Sequence, residues 1–182
     1  MLKKLEFDYL VICKFTFVKD TNHPLPVIVE QAELTLAGLQ TTMSLAHNTT
    51  MQLWQTFGPL KKSIHNKSNG GSYSVQCYAD NFMSIPFTPE TKFVKWAAVA
   101  VFNEDDIPKE LEVLKIPKGK WAVFSYKGTI SDFGKFAQYV YQEWLPSSGY
   151  QLDHRPHYEF MASDYLGPNH PDAQEEVWIP IV

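Results

Sequence analysis

One order of elements occurs twice in this 182-residue chain, and the repetition limits the folds that the chain can adopt. In each half, residue periodicity predicts a strand, then a helix, then two more strands. Pro59 aligns with Pro146 at an offset of 87 residues, and the same offset places Tyr73 opposite Phe160. This repeat predicts an α+β fold built from two duplicated strand-helix-strand-strand modules.

The second half has the clearer periodicity. A strand is predicted over residues 121–126, and apolar residues at helical spacing predict a helix over residues 131–144. Pro146 is expected to end this helix, because the residue before a proline is disfavoured in helical geometry. Alternation of apolar and polar residues then predicts strands over residues 156–162 and 175–182.

The first half has the same order of elements in weaker form. Strand-like sequence over residues 27–42 precedes a helix expected over residues 48–57, which the Gly-Pro pair at 58–59 should break or kink. Strands are predicted over residues 73–78 and 93–102.

Two further segments do not fit the repeat. The acidic segment 103–118 contains two prolines and is interpreted as a connector with a short turn. Residues 5–17 alternate as expected for a half-buried strand or for two strands joined by a bend, with a helix as the weaker option. We expect residues 1–26 to form an N-terminal extension whose strand material packs on a domain of residues 27–182. Charged residues interrupt the first apolar run, so no signal peptide is expected and a cytoplasmic location is predicted.

Composition argues against several classes of protein. A net charge of −4 and a pI near 5.8 argue against nucleic-acid binding. No apolar run approaches the ~20 residues of a membrane span. Two cysteines, and a His-Arg-Pro-His sequence at residues 154–157, supply neither a disulfide framework nor a metal-ligand set. We therefore expect no metal and no cofactor.

Four short motifs follow one another in the second half of the chain. They are Trp-Ala-Val-Phe at 121–124, Glu-Trp-Leu-Pro-Ser-Ser-Gly-Tyr at 143–150, His-Tyr-Glu-Phe at 157–160 and Glu-Val-Trp-Ile-Pro-Ile at 176–181. Their order and spacing resemble the C-terminal half of the GyrI-like, or AraC-type effector-binding, small-molecule domain. The resemblance covers about residues 27–182. It implies antiparallel sheets with two main helices and a ligand cleft near a pseudo-two-fold axis.

The resemblance also bears on binding partners. Many members of that family, bacterial transcription regulators among them, carry a DNA-binding helical module that is not among the elements predicted here. We therefore expect the stand-alone form, which binds a hydrophobic or cationic small molecule but no nucleic acid and no membrane. A homodimer is one assembly that the sequence allows.

Glu159 is the residue that the resemblance marks as the pocket glutamate. From the residues alone, a solvent-facing position on a strand is the better interpretation, because glutamate is rarely buried unless paired. A carboxylate among aromatic rings would attract a cation, and aromatic residues make up 14% of this chain. Candidate wall residues, for each of which core packing is the alternative, are Tyr73, Tyr78, Trp96, Tyr126, Tyr141, Trp144 and Trp178.

Three functions remain open from the sequence. The first is non-catalytic binding or sequestration of amphipathic drugs or effectors. The second, implied by the resemblance, is detoxification by a hydrolase of cyclopropane-containing genotoxins, with Glu159 and Tyr73 as the catalytic pair. The third is a gyrase-inhibitor-like regulator that binds another protein through the acidic residues 103–106.

Overall fold

The computed structural model describes residues 24–80, 82–84 and 86–182. The strand expected over residues 5–17 lies outside the described residues, as does most of the expected N-terminal extension. The described strands are β1 (Val27–Gln31), β2 (Leu34–Met43), β3 (Ser72–Cys77), β4 (Phe93–Ala100), β5 (Glu112–Ile116), β6 (Gly119–Lys127), β7 (His157–Met161) and β8 (Gln174–Ile181). The helices are α1 (Thr50–Lys61), α2 (Ile130–Gln138) and α3 (Leu145–Ser148), and a π-helical turn (Tyr139–Trp144) joins α2 to α3.

All eight strands form one antiparallel sheet in the order β1-β6-β8-β7-β3-β4-β2-β5. The order is symmetric about its centre, since β7, β8 and β6 of the second module mirror β3, β4 and β2 of the first. Tyr73 of β3 pairs directly with Phe160 of β7, as the repeat predicts. The duplicated α+β fold is therefore confirmed, with a single sheet in place of separate sheets and a pseudo-two-fold axis between β3 and β7.

Two short connections force this sheet to curl. Only Ala32 and Glu33 join β1 to β2, although these strands are first and seventh in the sheet. Three Cα steps span at most roughly 11 Å, whereas six strand spacings in a flat sheet span about 29 Å. Residues 117–118 join β5 to β6 across the same gap. The two ends of the sheet must therefore lie close together.

Curling gives the sheet an inner and an outer face. The inner face carries one apolar cluster that extends to both edge strands and includes Leu36, Val75, Trp96, Ile116 and Trp121. The outer face carries two separate clusters. Phe57 of α1 packs over β2 and β4 in one, and Phe136 of α2 packs over β6 and β8 in the other.

Three expected boundaries differ from the structure. The segment interpreted as a connector contains β5, which pairs with β2 because its two prolines flank the strand rather than interrupt it. Helix α1 continues through Pro59 to Lys61, since a proline in the last turn removes little of the hydrogen-bond ladder.

The second helix also continues beyond its predicted end. The π-helical turn precedes Pro146, and the Leu145 amide donates to the carbonyl of Val140, five residues back. This wider turn moves the preceding carbonyls away from the proline ring, so the helix passes through it. The chain then leaves the helix at Gly149, whose φ of 79° is left-handed.

Candidate functional site

On the outer face, a strip of the sheet lies between the two helix-covered parts, and we call this strip the cleft. Its floor is formed by the two central strands, β3 and β7, which belong to neither of the helix-packed clusters. Because side chains alternate along a strand, Ser74, Gln76, His157 and Glu159 point toward the cleft. The cleft therefore lies on the pseudo-two-fold axis.

Glu159 is held by two neighbours on adjacent strands. Its Oε2 lies 3.2 Å from Nζ of Lys95, and the Nε2 of Gln76 donates to its Oε1 at 2.7 Å. The Lys95 and Glu159 side chains are only 7% and 14% exposed. A largely buried ion pair of this kind is costly to break, because either partner left alone is an uncompensated charge.

A second carboxylate lies near this pair. Glu175 is on the outer face of β8, near the phenol of Tyr165. Burial, with the charge of Glu159 acting in the same direction, raises its pKa to about 7, while Tyr165 and Lys95 oppose the rise. The cleft thus contains two carboxylates and one ammonium, and its net charge changes near neutral pH.

Aromatic residues close the cleft where β3 ends and β7 begins. His157 is 4% exposed, and its Nδ1 is hydrogen-bonded to the hydroxyl of Tyr141 at 2.8 Å. The Tyr78 ring stacks on Phe82 with centroids 4.0 Å apart and lies 5.1 Å from the His157 ring. Burial lowers the pKa of His157 to about 3 and raises the pKa of both phenols. All three groups are therefore neutral at physiological pH.

The predicted site residues fall into three places. Glu159, Tyr78 and Tyr141 are at the cleft. Tyr126 and Trp144 are in the core beneath α2, where the Trp144 ring packs 5.0 Å from that of Phe124. The remaining three lie on the inner face and are Tyr73, Trp96 and Trp178. Tyr73 and Glu159 are therefore on opposite faces of the sheet, contrary to the expectation that they approach one another.

Sequence reasoning missed Lys95, Gln76, Glu175 and Tyr165. Lys95 could have been identified from the sequence, because it is the one charged residue in the apolar run of residues 93–102. A lysine in a strand that is buried on both faces needs a buried partner. Gln76 and Glu175 carried no comparable signal, since each occupies an ordinary polar position of an alternating strand.

Two cavities lie apart from Glu159. One, of about 250 Å³, borders Tyr78 and Cys77, and burial raises the pKa of that thiol to about 11. The other, of about 200 Å³, is on the inner face beside Tyr73.

No three potential metal-ligating side chains are grouped within the described residues. None of the helices in this part of the chain is long and apolar enough to cross a membrane.

A curled antiparallel sheet, two helices from duplicated modules and a cleft on their pseudo-axis define a class of small-molecule-binding domain. Residues 25–182 match the family described as the GyrI-like small molecule binding domain. The chain belongs to this family.

Individual relatives are similar at lower identity. The transcriptional regulator BrlR of Pseudomonas aeruginosa is 26% identical over 155 residues, which are 85% of this chain and 54% of that protein. This chain thus spans about half the length of the curated relative. The structure of SAV2435 bound to tetraphenylphosphonium aligns with a TM-score of 0.60 at 18% identity, over 86% of this chain and 93% of that one. The EcmrR C-terminal domain aligns at 0.63 and 11% identity, over 87% and 98%.

Proposed function

We propose that this protein binds amphipathic, cationic small molecules in the cleft around Glu159 without chemically converting them. The observation that carries the proposal is the excess of carboxylates over ammonium groups in a largely buried cleft. Glu159 and Glu175 face one Lys95 there, so the cleft is net negative when both carboxylates are ionised. Tyr78 and Tyr141 supply neutral aromatic surface beside this charge.

One structural neighbour supports this ligand class. SAV2435 has been solved with tetraphenylphosphonium, an aromatic cation, and it shares the fold of this chain. A ligand of that kind offers the two features that the cleft would recognise. Its positive charge complements the carboxylates, and its rings can pack on tyrosine faces.

Two contacts favour binding over hydrolysis. A general base must reach a water molecule, yet both oxygens of Glu159 already accept hydrogen bonds from Lys95 and Gln76. The phenol expected to assist it, that of Tyr73, is on the other face of the sheet. Hydrolysis of a cyclopropane-containing electrophile is therefore the second candidate, and water added to such a compound, detected by mass spectrometry, would establish it.

The expectations about protein–protein regulation, nucleic-acid binding and cellular location have less structural support. In the acidic segment proposed for protein–protein regulation, Glu104 is paired with Lys115 at 2.7 Å, which offsets part of its charge. Absence of nucleic-acid binding stays a prediction, as does the cytoplasmic location. A gel shift at low salt would test the first of these.

The binding proposal is tested by calorimetric titration with tetraphenylphosphonium and with neutral triphenylphosphine oxide. Glu159→Gln leaves the charge of Lys95 uncompensated and should weaken the cation at least about tenfold more than the neutral compound. Glu112→Gln, which alters an exposed carboxylate on β5, is the matched control. Equal losses for both compounds would mean that the cleft does not recognise charge.

A further inference from the structure

The inner face of the sheet carries its own aromatic cluster, opposite the cleft. Tyr73, Tyr158, Phe160 and Trp178 contact one another there, and we call these four residues the aromatic cage. The Tyr158 and Trp178 rings stack at 5.2 Å and 16°, while the Tyr73 ring lies 5.7 Å from Tyr158 and 5.1 Å from Phe160. The cage spans the pseudo-two-fold axis, because Tyr73 and Phe160 are paired across it.

A cavity of about 200 Å³ opens between these rings. It is lined by the four cage residues together with Gln31 and Glu176. Pockets for drug-sized ligands are usually about 300–1,000 Å³, so this one suits a more compact ligand.

Glu176 gives the cavity a negative charge. Its Oε2 accepts a hydrogen bond from Nε1 of Trp178 at 2.9 Å. Burial raises the pKa of the Tyr73 and Tyr158 phenols, and the charge of Glu176 acts in the same direction. Glu176 forms no ion pair with any residue in the described part of the chain. Unlike Glu159, this carboxylate has no neutralising partner among the residues that the structure describes.

Both tyrosine hydroxyls take part in hydrogen bonds with neighbouring amides. The Tyr158 hydroxyl donates to Oε1 of Gln31 at 2.5 Å, and Nδ2 of Asn69 donates to the Tyr73 hydroxyl at 2.9 Å. What the cage offers a ligand is therefore ring faces and one carboxylate. A cation without N–H donors matches that surface, because it needs charge and aromatic contact rather than hydrogen bonds.

We propose that the aromatic cage is a second binding site, for compact quaternary ammonium groups of the choline type, separate from the cleft. The site stands on its own cavity, rings and carboxylate, and it does not depend on what the cleft binds. Since Glu176 is exposed, the ligand would enter past this carboxylate and place its methyl groups against Tyr73, Phe160 and Trp178.

The test compares choline with its neutral carbon isostere, 3,3-dimethylbutan-1-ol, by calorimetry and by tryptophan fluorescence. Wild-type protein should bind choline and discriminate against the isostere. Glu176→Gln should weaken choline about five- to tenfold, as expected for one partly exposed charge. Phe160→Leu, which keeps apolar volume but removes a ring, should weaken it roughly two- to fivefold.

Glu112→Gln is the matched control, because it removes an exposed carboxylate on β5, away from both the cage and the cleft. Choline binding unchanged in Glu112→Gln and reduced in Glu176→Gln would place the ligand in the cage. The proposal is overturned if wild type does not bind choline, if choline and its isostere bind equally, or if Glu175→Gln loses choline while Glu176→Gln keeps it. None of these outcomes bears on tetraphenylphosphonium in the cleft, so the two proposals fail separately.

Discussion

Lys95 and Glu159 form an ion pair between β4 and β7, two strands separated by β3, at the base of the cleft. The pair joins the two duplicated modules through side chains, in addition to the backbone pairing of β3 with β7. It also means that the glutamate which the family resemblance marks as the pocket residue is not a free charge.

Loss of the ion pair should account for most of the change in the free energy of unfolding when Glu159 is substituted. Glu159→Gln leaves the ammonium of Lys95 buried without a partner, which should lower the free energy of unfolding by about 3–5 kcal/mol. The double variant Lys95→Met with Glu159→Gln removes that charge and should recover most of the loss. Urea unfolding of both variants tests this prediction. A double variant no more stable than Glu159→Gln alone would contradict it.

Cation binding in the cleft should depend on pH through Glu175. The pKa of this carboxyl is about 7, so it is largely protonated at pH 6 and largely ionised at pH 8. A cation binds the ionised form better, so affinity for tetraphenylphosphonium should rise as pH rises through 7. In Glu175→Gln the dependence should flatten. If Glu175→Gln keeps the wild-type pH profile, Glu175 is not the source of the pH dependence of cation affinity.

His157 should contribute to acid unfolding. Its folded pKa of about 3 is below the ordinary value of 6.5, so below pH 6.5 the unfolded chain binds a proton that the folded protein does not. The resulting loss of stability should grow as pH falls from 6.5 toward 3. His157→Gln should remove this pH-dependent loss of stability, whereas His154→Gln, at an exposed histidine, should not. Melting temperatures of the three proteins at pH 4 and pH 7 provide the comparison.

Two glycine substitutions should have opposite effects. A Cβ at Gly38 would lie 2.2 Å from the carbonyl oxygen of Ala97 on the neighbouring strand, so Gly38→Ala should destabilise the sheet by about 1–3 kcal/mol. A Cβ at Gly134, inside α2, meets nothing within 4 Å. Gly134→Ala should therefore stabilise the protein by about 0.4–1 kcal/mol. Thermal unfolding of the two variants tests this prediction. It is wrong if both variants are less stable, or both more stable, than wild type.

The sequence predicted the repeat and the strands of both modules because these depend on periodicity. The pocket role of Glu159 is implied by the family resemblance, since the residues alone favoured a solvent-facing position. Sequence analysis missed β5, since a five-residue strand between prolines has little periodicity, and it placed the helix end at Pro146 because a π-helical turn leaves no local signal. The expected approach of Tyr73 to Glu159 is wrong for a reason already present in the sequence. The repeat places Tyr73 opposite Phe160, and alternation along the strand puts Glu159 on the other face. Lys95 as the partner of Glu159 required the strand order, which depends on the whole chain.

The pairing of β1 has a consequence for folding. β1 precedes the first module yet pairs with β6 of the second, whereas β5 follows the first module's last strand and pairs with β2 in the same half of the chain. The second half therefore cannot complete its part of the sheet until residues 27–31 are in place. Pairing of strands so far apart in the chain requires a large loop to close first, which is typical of slow folding. Because the second half depends on a strand from the start of the described chain, we expect the two halves to unfold together.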